Sequence, residues 1–172
     1  MSELKKRKTM RLQGANYNCS GAYFFTLCTL GKKCILSTIT ETSIPNTPKL
    51  ELSKYGIIAE KYIQQLSNFY NNVTVENYVI MPNHIHLLLV ITNDTLEPVS
   101  TAQNSITAQF FSTFKRFFNQ EAKENIWQSR SHDHIIRHQI DYDNHIKYIE
   151  ENPLYWKQDP LYNSVPKGAP LP

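Results

Sequence analysis

The sequence predicts an α+β domain, a single antiparallel sheet backed by two helices. Two patterns point to it. Strand-like and helix-like segments alternate in the order strand, helix, strand, strand, helix, strand, helix, and Pro82-Asn83 joins the central two strands as a hairpin. A third observation sets the scale: 172 residues with 41% hydrophobic and 12% aromatic content suit one domain with one core.

Each element has its own warrant. Ala22 to Leu30 reads Ala-Tyr-Phe-Phe-Thr-Leu-Cys-Thr-Leu, rich in aromatic and β-favouring residues and bounded by Gly31, which predicts a buried strand. Ser37 to Lys49 is crowded with Thr, Ser and Pro and reads as a loop. A helix is expected from about Ser53, because Tyr55, Ile58, Ala59, Tyr62, Ile63, Leu66 and Phe69 recur at three- and four-residue steps; Asn71-Asn72 ends it. Val73 to Met81 and His84 to Ile91 are strand-like. Thr92 to Asn104 reads as an exposed loop. Ile106, Phe110, Phe114, Phe117 and Phe118 mark the apolar face of a second helix. Between Trp127 and His138 lies a shorter strand, best seen at His134-Ile-Ile-Arg137. A last helix is expected from about Asp141 to Asn152, stopped by Pro153. The first six elements match the split βαβ pattern of ferredoxin-like folds. Residues 1–18 read as a basic arm, 19–157 as the folded domain and 158–172 as an extended tail.

Composition narrows the function classes. The 18 Lys and Arg against 15 Asp and Glu leave a net charge of only +3, so bulk charge announces no polyanion partner. The apolar run from Ile85 to Ile91 is far short of the ~20 residues that a membrane-spanning helix needs. Lys5-Lys6-Arg7-Lys8 leads into no apolar segment of signal-peptide type. Cys19, Cys28 and Cys34 cannot all pair and form no CxxC. These features predict a cytoplasmic protein that is neither a membrane protein nor a disulfide scaffold.

The chemistry begins at His84-Ile85-His86. On a strand these histidines emerge on one face and Ile85, Leu87 and Leu89 on the other, so two imidazoles can share one cation on the face away from the helices. Taken alone, His-x-His is more often an exposed or hydrogen-bonded pair than a metal site. Further ligands could come from the last helix, where Tyr148 and Asn152 stand four residues apart on one face, with His145 nearby. A second His-x-His, His132-Asp133-His134, raises a rival reading, a histidine-rich metallohydrolase acting on small molecules. The helical patterns speak against an all-β metal barrel, and the length speaks against an α/β barrel of about 250 residues. His132 then reads as a loop residue, and His134 as one at the core edge, behind a metal ligand or in contact with DNA.

The stretch Tyr78-Val-Ile-Met-Pro-Asn-His-Ile-His-Leu-Leu-Leu resembles the single-tyrosine HUH transposases of small bacterial insertion sequences, and most strongly their single-copy relatives, the REP-associated tyrosine transposases. Gly21-Ala-Tyr-Phe-Phe-Thr looks like that family's first strand. Trp127-Gln-Ser-Arg with His134-Ile-Ile-Arg looks like the segment before its catalytic helix, and Tyr148-Ile-Glu-Glu-Asn-Pro153 like its tyrosine motif. The resemblance runs from about Met10 to Trp156 and implies a ferredoxin-like fold. It makes His84 and His86 metal ligands, Asn152 the third ligand where the insertion-sequence branch often has glutamine, and Tyr148 the nucleophile. It further implies a metal-dependent endonuclease and strand transferase using Mg²⁺ or Mn²⁺ on single-stranded or hairpin DNA through a 5′-phosphotyrosine intermediate, in a nucleoid-associated protein. A domesticated hairpin-binding protein without transposition is the alternative. Cations for the DNA are expected from Lys5, Lys6, Arg7, Lys8 and Arg11 in the arm, Lys115 and Arg116 on the second helix, and Arg130 and Arg137 around the last strand; for each, a solvated surface charge is an equal reading. Monomer and homodimer both fit. An exchange of tyrosine helices, as in insertion-sequence relatives, would hinge before Asp141.

Overall fold

The computed structural model describes residues 20–44, 47–92 and 105–162. Its strands are β1 (Gly21–Cys28), β2 (Ser37–Thr40), β3 (Lys49–Leu52), β4 (Val73–Ile80), β5 (His84–Ile91) and β6 (His132–Ile136). Its helices are α1 (Lys54–Phe69), α2 (Ile106–Ala122) and α3 (Gln139–Glu151). The main sheet has four strands in the order β4-β5-β1-β6, every neighbouring pair antiparallel. That is the split βαβ arrangement expected from the sequence. The basic arm and the stretch 93–104 lie outside the described residues.

Alternation along the strands divides the molecule into two layers of contact. Tyr23, Phe25 and Leu27 of β1, with Ile85, Leu87, Leu89 and Ile91 of β5, pack into the main core against Ile63 and Leu66 of α1 and Phe110, Phe114 and Phe118 of α2. Phe24 and Leu88 point the other way and meet Ile149 of α3. Helix α3 therefore covers the sheet face opposite α1 and α2. It is held there by a much smaller apolar cluster.

Local signals explain the helix starts. The Ser53 hydroxyl accepts from the amides of Tyr55 and Gly56, and that of Ser105 accepts from the amide of Ala108, each satisfying N–H groups that the helix leaves unpaired. Gly56 is required by crowding: a Cβ there would press into the backbone oxygen of Leu36 and the side chain of Leu52. The first turn of α1 thus rests directly on the segment before it.

That segment departs from expectation. The stretch Ser37 to Lys49 is not all loop; its ends form the two-stranded ladder β2–β3, with Ser37 opposite Leu52 and Ile39 opposite Leu50. Ile39 and Leu50 pack with Met81 and Trp156, and the Ser37 hydroxyl donates to the Ile80 carbonyl at 2.8 Å. Contacts distant in sequence stabilise strands too short and polar to announce themselves. The chain after α3 also stays close. Trp156–Gln158 forms a 3-10 turn, Trp156 and Asp159 are buried, and Tyr162 packs edge-on to Trp156. The first residues of the expected tail are therefore part of the folded unit as far as Tyr162.

Candidate active site

His84 and His86 share the sheet face turned toward α3 and the 3-10 turn, and both are buried. Their rings meet edge to face with Nε2 to Nε2 at 3.0 Å. The surroundings fix the proton of His84. Asn83 Nδ2 donates to the carbonyls of Lys32 and Leu161, which turns Asn83 Oδ1 toward His84 Nδ1 at 2.7 Å. His84 must therefore donate from Nδ1 and keep a lone pair on Nε2. His86 Nδ1 lies 2.9 Å from the Thr26 hydroxyl, its cross-strand partner, which can donate or accept and so serves either tautomer of His86. Burial, with a smaller push from the Lys32 cation, lowers the His84 pKa to about 3, and burial first of all holds His86 well below its usual range. Both rings are neutral at pH 7, with lone pairs to offer.

Tyr148 sits on the inner side of α3, its ring 5.1 Å from that of His86 and 6.0 Å from Phe24. Its hydroxyl donates to Asp159 Oδ2 at 3.4 Å. Burial, then the Asp159 charge, raises its pKa above the usual phenol value. Asn152 follows the last turn of α3, is buried, and donates from Nδ2 to the same Asp159 oxygen at 3.3 Å. Its Oδ1 is buried without a hydrogen-bond partner.

These groups form a set that suits a cation. The ligand atoms of His84, His86 and Asp159 lie within 4.8 Å of one another, all three residues buried, and Asn152 bonds Asp159 while its own oxygen goes unpaired. Two imidazole lone pairs, a carboxylate and an orphaned amide oxygen are costly to bury together without a positive charge among them. Two nitrogens with two oxygens make a donor set that a divalent metal ion can take. Asp159 is the member that sequence reasoning missed. It belongs to no recognisable spacing, and only the fold-back of the chain after α3 delivers it.

Comparison with a solved structure agrees with the architecture. In the structure of a REP-associated tyrosine transposase bound to a REP hairpin, 74% of that chain overlays on 85% of this one, with a TM-score of 0.61 and 19% identity. The fold is that of a REP-associated tyrosine transposase. An uncharacterized protein of Haemophilus influenzae is 28% identical over 91% of this chain and 93% of its own length. A putative REP-associated tyrosine transposase of the same organism is 32% identical over 54% of this chain and 60% of its own length. No protein-family model matches the sequence.

Within this transposase-like fold the remaining candidates separate. Lys115 is half-buried on α2, across the sheet from the histidines, and its ammonium donates to the carbonyls of Gln128 at 2.6 Å and Ser129 at 3.4 Å. It ties α2 to the segment before β6. Arg116, exposed on the same helix, lies over its neighbour Phe117 at 4.9 Å. Neither converges on the site. Arg130 and Arg137 are exposed beside β6, and the Arg137 amide donates to Asp141. Lys5, Lys6, Arg7, Lys8 and Arg11 lie outside the described residues. His132 is a strand residue, contrary to the loop expected, because it pairs with Thr26 and so faces the same side as His86. It lines a cleft of ≈ 550 Å³ together with Phe24, His86, His145, Tyr148 and Asp159. The four-histidine arrangement does not form: among the described residues, His134 groups with Asp141 and His145, apart from His84 and His86. No helix among the described residues is long and apolar enough to cross a membrane.

Proposed function

We propose that this protein nicks and rejoins single-stranded DNA next to a hairpin, with Tyr148 as the nucleophile. The observation that carries the reading is the packing of the Tyr148 phenol against His86, in a cleft lined by His86 and Asp159, whose ligand atoms lie within 4.8 Å of that of His84; Asn152 bonds the Asp159 carboxylate. Tyr148 Oη attacks phosphorus, the bond from phosphorus to the 3′-oxygen breaks, and the products are a 5′-phosphotyrosine and a free 3′-hydroxyl. The linkage keeps the energy of the phosphodiester, so a later 3′-hydroxyl can rejoin the strand without ATP. His84, His86, Asn152 and Asp159 would hold a divalent ion, which would supply charge to polarise the scissile phosphate.

The chain's own residues do the rest. Asn83 and Thr26 orient the imidazoles, as outer partners of metal-binding histidines do. Helix α3 sets Tyr148 over them, and the Asp159 carboxylate holds the phenol hydroxyl in the cleft. Arg130 and Arg137, exposed beside β6, would offer charge to the phosphates, with the basic arm as a further supply. By analogy with the hairpin-bound transposase of similar fold, the substrate is a palindromic hairpin with a single-stranded flank.

The test is adduct formation. Wild type and Tyr148→Phe are incubated with labelled hairpin DNA from the flanks of the gene in Mn²⁺ or Mg²⁺ and run on a denaturing gel. A covalent protein–DNA band in wild type alone is expected. Hairpin binding without any adduct would favour a domesticated binding protein and sink the enzymatic reading.

A further inference from the structure

The reaction leaves one proton without an acceptor, since the Tyr148 phenol must give up its proton to attack. The Asp159 carboxylate is the nearest candidate, but its Oδ2 also accepts from Asn152 and stands among the ligands for the cation. A second candidate stands on α3 itself. His145 is one helical turn before Tyr148, lines the same cleft, and stacks on the same Phe24 ring, at 4.6 Å against 6.0 Å for Tyr148.

The partners of His145 define which nitrogen is available. Its Nδ1 lies 2.8 Å from the Asp141 backbone oxygen and 3.2 Å from Asp141 Oδ1, two acceptors that together require a proton on Nδ1. Nε2 is then the basic atom. The Asp141 carboxylate is fixed in turn by His134 Nε2 at 2.9 Å and by the Arg137 amide at 3.3 Å. The His134 and His145 rings are 4.8 Å apart and only 18° from parallel. A metal lies in the plane of an imidazole that binds it, so rings stacked face to face cannot direct two lone pairs at one ion. The cluster is built as a carboxylate that orients histidines, not as a second metal centre.

We propose that His145 is the general base of the tyrosine attack, with Asp141 as its positioning residue and His134 bracing Asp141. This inference rests on the proposed function. In the forward step His145 Nε2 takes the Tyr148 proton as the bond from Oη to phosphorus forms, and the departing 3′-oxygen takes a proton from water. On rejoining, the incoming 3′-hydroxyl gives up its proton to water, and protonated His145 returns one to the Tyr148 oxygen.

Single-turnover adduct formation tests it with wild type, His145→Ala, Asp141→Asn and the double variant, all checked for an unchanged circular-dichroism spectrum. His145→Ala is expected to slow the adduct about 100-fold, the usual scale for a lost general base. Added imidazoles should restore part of the rate, and more basic ones should restore more. A substrate with sulfur in place of the bridging 3′-oxygen needs no protonation of its leaving group, and the defect should persist with it. Asp141→Asn should slow wild type but add nothing to His145→Ala. A His145→Ala rate within threefold of wild type, or a defect that no imidazole relieves, overturns the assignment while leaving the transposase reading intact. Absence of an adduct in wild type overturns both.

Discussion

The buried histidine pair makes acid a specific threat to this fold. His84 is lowered from its usual 6.5 to about 3, chiefly by burial. A group whose pKa is depressed on folding contributes stability that is complete above its unfolded value and is lost as the pH falls toward the folded one. For His84 the window runs from about 6.5 down to about 3. Each pH unit inside it costs about 1.4 kcal/mol, so acidifying from pH 7 to 5 removes about 2 kcal/mol through His84 alone. His86 acts in the same direction. Asp141 and Glu121, held below the ordinary carboxylate range by hydrogen bonds from His134 and Lys61, stay ionised at pH 5 and do not contribute to the loss. At roughly 2–4 °C per kcal/mol for a domain of this size, Tm in EDTA should fall by about 4–8 °C or more between pH 7 and 5. Scanning calorimetry on wild type and His84→Gln measures it, and the variant should show a shallower fall. A wild-type Tm that is flat or higher at pH 5 would mean that these imidazoles are already charged, or that the pocket is wet, and the neutral-ligand description would fail.

Two other substitutions probe features that the fold imposes. Gly56→Ala should destabilise by roughly 2–4 kcal/mol, since the new methyl meets backbone rather than a side chain that can move; urea melts would read it, and a cost under about 0.5 kcal/mol would show that α1 does not rest on the Leu36 carbonyl. Lys115→Ala should cost about 1–2 kcal/mol of stability by removing a charged donor to two carbonyls. It should leave hairpin affinity within about twofold and the salt dependence of binding unchanged; fluorescence anisotropy at two ionic strengths would expose a phosphate contact as a shallower slope.

Legibility in the sequence followed how local the determining physics is. Strand β5 was readable because alternation sorts Ile85, Leu87 and Leu89 from His84 and His86 without knowledge of any neighbour. Helices α1 and α2 were readable from their apolar repeats and α3 from its stop at Pro153, while caps such as Ser53 act within one turn. The sequence placed Tyr148 and Asn152 on one helix face, and resemblance supplied their roles. What stayed hidden depends on distant partners. Ile39 and Leu50 make a strand pair only because Met81 and Trp156 give them a surface. Lys115 looked like a free cation because nothing nearby in sequence announces the Gln128 and Ser129 carbonyls. Asp159 lies in a stretch with the polarity of a tail, and its burial follows from the turn that brings Leu161 back to Asn83.

That bond from Asn83 to Leu161 bears on the timing of synthesis. One amide side chain fixes the proton of His84 and also holds the chain 78 positions later, so the candidate site is complete only when both segments are present. A ribosome that has released β5 has delivered the imidazoles but neither the tyrosine nor the acid that completes their ligand set. On the proposed function, a growing chain lacks the full cutting site until the last turn docks. For a protein proposed to break its host's DNA, that order of assembly is a safeguard written into the topology.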